Sequence, residues 1–81
     1  MFLRGQVVRS GAGRDEGYLM AVTDYDGTYV YVCDGKERRL AQPKRKNPKH
    51  LKITQWNLDE SRMHSDRRLR KALAELESGN E

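Results

Sequence analysis

The chain has 81 residues, 36% of them apolar and 35% charged, so it holds one small domain with a thin core, below the usual domain size of roughly 100–150 residues. A second folded domain is excluded, and a deep substrate cavity would be hard to build. The formal net charge is +4, and no stretch approaches the roughly 20 consecutive apolar residues of a membrane span or the apolar run of a signal peptide, so a cytoplasmic chain is expected.

In chain order, Gln6-Val7-Val8-Arg9 is a short β-branched run, followed by a glycine-containing loop from Ser10 to Gly17. Tyr18 to Thr23 reads as a second strand, and Asp24-Tyr25-Asp26-Gly27 closes with an Asp-Gly pair suited to a turn at positive φ. Thr28 to Cys33 is the most strand-like run, because branched and aromatic residues alternate along it. Val30 and Val32 are assigned to the core. Tyr29 and Tyr31 then share the opposite face with Cys33 and are expected under a helix, or exposed as an aromatic platform that Tyr18 and Tyr25 could extend.

Asp34-Gly35 turns the chain again, Arg38-Arg39-Leu40 is expected to pair back as a short strand, and Leu51-Lys52-Ile53-Thr54 alternates as a fifth. Five short strands at this spacing suggest a small antiparallel barrel. From Ser65 the period changes: Leu69, Ala72, Leu73 and Leu76 fall on one helical face, with Ser65 suited to the N-cap and Gly79 to the residue past the end.

Charge is distributed unevenly. Residues 1–35 carry a net −2, residues 36–56 a net +7 and residues 57–81 a net −1. The middle run, from Lys36 to Lys52, contains a single acid, Glu37, and two prolines, Pro43 and Pro48, that restrict its backbone. Such density suits an anionic polymer, whose binding would weaken steeply with salt. Trp56 serves either as a stacking platform or as core filler.

The glycines fit neither common nucleotide loop. Gly11, Gly13 and Gly17 miss the dinucleotide spacing and precede a strand, and no Gly-Lys-Ser/Thr is present. They either bend the chain or let its backbone approach a phosphate. His50 and His64 lack a second cysteine or a carboxylate partner for zinc, and Cys33 has no sequence-local base. No metal, cofactor, small-molecule substrate or catalytic residue is therefore expected.

Gly5-Gln6-Val7-Val8-Arg9-Ser10-Gly11-Ala12-Gly13-Arg14-Asp15-Glu16-Gly17, with Tyr18-Leu19-Met20-Ala21-Val22 after it, resembles a KOW motif. Val32-Cys33-Asp34-Gly35-Lys36-Glu37-Arg38-Arg39-Leu40 and Pro43-Lys44-Arg45-Lys46-Asn47-Pro48-Lys49-His50-Leu51 resemble a narrower group, the small bacterial KOW-domain RNA-binding proteins. These are similar to KOW-containing large-subunit ribosomal proteins of archaea and eukaryotes.

The resemblance implies a mainly β fold: a five-stranded SH3-like (KOW) barrel over residues 1–56 with a basic loop at 41–50. A linker at 57–64 and a C-terminal amphipathic α-helix at 65–78 would follow. It also implies an RNA partner, expected to be ribosomal RNA, with the large ribosomal subunit as its setting. On that reading Lys44, Arg45, Lys46 and Lys49 supply the main phosphate contacts. Arg38 and Arg39 extend the surface, Arg14 contributes from the KOW loop shaped by Gly13 and Gly17, and His50 stacks or hydrogen-bonds. The alternative is a protein-interaction module of the same fold, as in KOW domains of transcription elongation factors, with the tyrosines forming its groove.

Overall fold

The computed structural model describes residues 1–14 and 16–79. Five strands, β1 (Gln6–Ser10), β2 (Leu19–Tyr25), β3 (Val30–Cys33), β4 (Lys44–Lys46) and β5 (Leu51–Asn57), precede one helix, α1 (Asp66–Glu77). The strands form one antiparallel sheet in the order β4-β3-β2-β1-β5, with β4 and β5 as its two open edges. Register is set by pairs such as Val7 with Ala21, Val22 with Val32, Val30 with Lys46, and Val8 with Ile53.

The two edge strands are joined by four residues, Asn47 and the 3-10 turn Pro48–His50. A flat five-stranded sheet would hold its edges about 19 Å apart at ~4.8 Å per strand, which a link containing a helical turn cannot span. The sheet is therefore curled. Register shifts between Gln6 and Val8, and between Val22 and Asp24, supply local twist.

Both faces of the central strands are covered, so their residues are apolar on both sides. Val8, Met20, Val22, Val30, Val32 and Leu51 fill the concave side, and Phe2 and Tyr25, edge to face with each other, pack against them. Val7, Leu19, Ala21 and Cys33 face the other way and meet Leu69, Ala72 and Leu73 of α1. Trp56, Leu40 and Leu76 are packed against this second cluster.

The valine assignment holds, and so does the helix. Ser65 Oγ accepts from Arg68 N at 3.2 Å, and Gly79, at φ 80°, follows the last turn. The tyrosines do not lie under α1. Cys33 does, whereas the Tyr31 hydroxyl donates to Asp26 and Tyr29 lies beneath the Arg45 guanidinium.

Two further expectations are corrected. Residues 38–40 are not a strand: Asp34 Oδ1 accepts from the backbone N–H of Lys36, Glu37 and Arg38, and Arg38 O takes the N–H of Asp34 and Gly35. Leu40 N goes to Asp66 Oδ1 at 2.7 Å. With those groups occupied, the strand forms further on, at Lys44–Lys46, inside the segment expected to be a loop. Residues 57–64 lead from the end of β5 to α1, and Leu58 and Met63 within them are buried in the cluster beneath α1. No helix among the described residues is long and apolar enough to cross a membrane.

Candidate nucleic-acid interface

The glycine loop between β1 and β2 is built by two bends and one close approach. Gly13 and Gly17 both have φ 89°, a left-handed conformation that favours glycine. Gly17 N donates to Ser10 O at 2.7 Å and Ser10 N to Tyr18 O at 3.0 Å, which closes the loop's base. Gly11 serves the other purpose. Its N–H donates to His50 O at 2.7 Å, and a Cβ there would stand 3.1 Å from that oxygen. Arg14 is exposed on the loop; Asp15 lies outside the described residues.

The β4–β5 connection is shaped by its own side chains. Asn47 Oδ1 accepts from Lys49 N at 3.1 Å, and Pro48 follows with its fixed φ, so Lys49 and His50 are displayed on a short, preformed turn. Lys46 ties this connection to the glycine loop: its Nζ donates to Ser10 Oγ at 2.9 Å and to Ala12 O at 2.8 Å. Together with the Gly11 contact, this places Arg14, Lys49 and His50 around one pair of joined loops. Lys52, the second residue of β5, is exposed beside them.

The expected phosphate contacts are thus sorted. Arg45 is exposed, its guanidinium carbon 4.6 Å from the Tyr29 ring centroid, a cation–π arrangement that orients the charge. Lys49 and His50 are exposed and Lys44 half-buried. Lys46 is corrected: at 7% exposure its ammonium is consumed in holding the two loops together and is not offered to a ligand. Arg38 and Arg39 are exposed on a different element, the β3–β4 connection, which Leu40 and Asp66 fasten to α1.

The electrostatics of the hairpin beside Arg45 are internally satisfied. Asp26 accepts from the backbone N–H of Tyr29 and Thr28 and from the Tyr31 hydroxyl, and these bonds hold its carboxyl below the usual range. The Tyr31 hydroxyl is pushed up by donating to that carboxylate. Burial drives the Cys33 thiol up to about 12, which removes it as a nucleophile at neutral pH.

An open cleft of about 300 Å³ lies between the start of β2, the turn after β3 and α1, lined by Tyr18, Lys36, Glu37, Arg70 and Glu77 among others. Its mixed charges give no net pull on a phosphate. Sequence reasoning counted Lys52 in the basic run without naming it among the phosphate contacts, although its place in an alternating strand beside Leu51 marked it as outward-facing.

The chain matches no protein-family model and no curated protein sequence.

Proposed function

We propose that this protein is a non-enzymatic, KOW-type RNA-binding module that grips ribosomal or similarly structured RNA by its backbone in the cytoplasm, with the large ribosomal subunit as the natural setting. The observation that carries the reading is the joining of the glycine loop to the basic connection through Lys46 and Gly11. Two loops that are far apart in sequence thereby present Arg14, Lys49 and His50 from one rigid support, with Lys44, Arg45 and Lys52 on the adjoining strands. Supports fixed before binding leave little backbone freedom to be lost on binding.

The SH3-like barrel assignment rests on the five antiparallel strands, the curl, and the short 3-10 link between the edges. The alternative, a peptide groove lined by tyrosines, has less in its favour. Tyr29 is covered by Arg45, and Tyr31 is bonded to Asp26.

The test is a salt titration of the full chain with labelled ribosomal RNA fragments. Binding should weaken steeply with salt, and Arg45→Ala/Lys49→Ala/Lys52→Ala should flatten the log–log slope by about 0.7–0.9 for each phosphate contact removed. Unchanged affinity and slope in that variant would refute the assignment.

A further inference from the structure

Helix α1 carries its charges against its own dipole. Arg67, Arg68, Arg70 and Lys71 crowd the first half with Asp66 as the one acid there, while Glu75 and Glu77 occupy the last half and no basic residue lies in the last turn. The positive end of a helix disfavours cations and the negative end disfavours carboxylates, so this order costs stability. At the last turn the Arg9–Glu77 ion pair at 3.3 Å offsets part of that cost; in the first turn Asp66 is the one acid.

All four are exposed, and two of them share a cleft. Arg68 and Lys71, three residues apart and so on one side of the helix, line a cleft of about 270 Å³ with Arg62 and Ser61 of the preceding turn. Ala72 is also in its lining, and Glu75 is the one acid in it. The turn that supplies Arg62 is built in place. Asp59 Oδ1 accepts from Ser61 Oγ at 2.8 Å and from Arg62 N at 3.1 Å, and Arg68 Nη1 reaches Ser61 O at 3.4 Å. Buried Met63 anchors the turn and buried Leu69 the helix, so the two walls of the cleft share one core.

We propose that this cleft is a second phosphate-binding site, in which Arg62, Arg68 and Lys71 hold the backbone of a single RNA segment. It rests on the RNA-binding reading above and extends it. The loop site and the helix cleft stand on different elements, so one chain grips two stretches of a folded RNA at once. Three cations outweigh Glu75 in the lining and Asp59, whose carboxylate acts on Arg62 from within the turn, and they stand on supports fixed before binding, which suits a phosphodiester oxyanion; guanidinium groups in particular can bind it in a bidentate fashion.

The experiment compares the full chain with Arg62→Gln/Arg68→Gln/Lys71→Gln on labelled ribosomal RNA fragments across a salt series. The triple variant should bind at least about tenfold more weakly near 0.1 M salt, with a log–log slope shallower by about two. Its melting temperature should hold or rise, because cations have left the positive end of the helix. Glu75→Gln should tighten binding. Wild-type affinity and slope in the triple variant, alongside a loss in the Arg45/Lys49/Lys52 variant, would overturn the helix site alone. Failure of the wild-type chain to bind these fragments in a salt-dependent way would remove both sites.

Discussion

Lys46 Nζ donates to the carbonyl oxygen of Ala12 at 2.8 Å, a bond that spans 34 residues of sequence and links the last residue of β4 to the glycine loop. The lysine stem crosses the rim of the concave core while the ammonium finds oxygen acceptors, an arrangement that suits a long amphipathic side chain. One residue thereby joins two separate connections into a single platform.

Lys46→Met should lower stability by about 1–3 kcal/mol, since it removes the charged donor of two hydrogen bonds, the one to Ser10 Oγ being buried. Urea unfolding would measure the loss, and amide exchange should quicken at residues 10–14. Lys49→Ala, which removes an exposed side chain, should leave the urea midpoint unchanged. Equal midpoints for the two variants would show that the Lys46 bridge contributes nothing to the fold.

Gly35 and Gly27 should respond differently to alanine. Both have positive φ, 77° and 93°, at a conformational cost of about 1–2 kcal/mol for an L side chain. A Cβ at Gly27 meets open space, whereas one at Gly35 collides with the Asp66 carbonyl at the start of α1. Gly27→Ala should therefore lose only the conformational cost, and Gly35→Ala should lose more and loosen the helix, as thermal melts followed by circular dichroism would record.

Cys33 is fully buried and its thiol is raised to about 12. At pH 8 an alkylating reagent should react with the native protein only as fast as the sheet opens, and added urea should release rapid labelling. A thiol whose pKa is higher in the folded state contributes stability that is fully present below the unfolded value of about 9. That contribution is lost as pH rises toward about 12. The stability difference between wild type and Cys33→Ala should shrink over that window.

Asp26 should titrate below the ordinary aspartate range by NMR, because Tyr29 N, Thr28 N and the Tyr31 hydroxyl all donate to it. In Tyr31→Phe its pKa should move back upward but not fully, since the two backbone donors remain. Full reversion would assign the whole effect to the hydroxyl.

The turns and the hydrophobic alternation were legible in the sequence. Asp26-Gly27 and Asp34-Gly35 turn where their chemistry says they should, and Val30 and Val32 are core because a strand puts them on one face. The last helix was equally legible from its apolar period and its Ser65 cap. The fourth strand was not, since Lys44-Arg45-Lys46 carries neither apolar alternation nor β-branched residues. It forms because β3 offers an open edge and the Asp34 turn consumes the backbone groups of the preceding residues.

The candidate site was legible as a region and not residue by residue. Charge density picked out the basic run, but nothing local distinguishes Lys46, which faces inward, from Lys49, which faces out. That difference arises from the curl of the sheet, which brings Ser10 and Ala12 within reach of one lysine. The basic run from Arg62 to Lys71, with its charge order opposed to the helix dipole, was legible in the sequence; that Arg62, Arg68 and Lys71 line one cleft was not, because its members come from two elements.

The central position of β1 bears on how the chain is made. Its Gln6–Ser10 backbone pairs on one side with β2, close by in sequence, and on the other with Leu51–Asn57. About forty residues must be synthesised between Ser10 and Leu51, several seconds of translation at about 5–20 residues per second. Throughout that interval a hydrophobic strand edge stands open to wrong partners, and the cationic residues 36–49 emerge before it is covered.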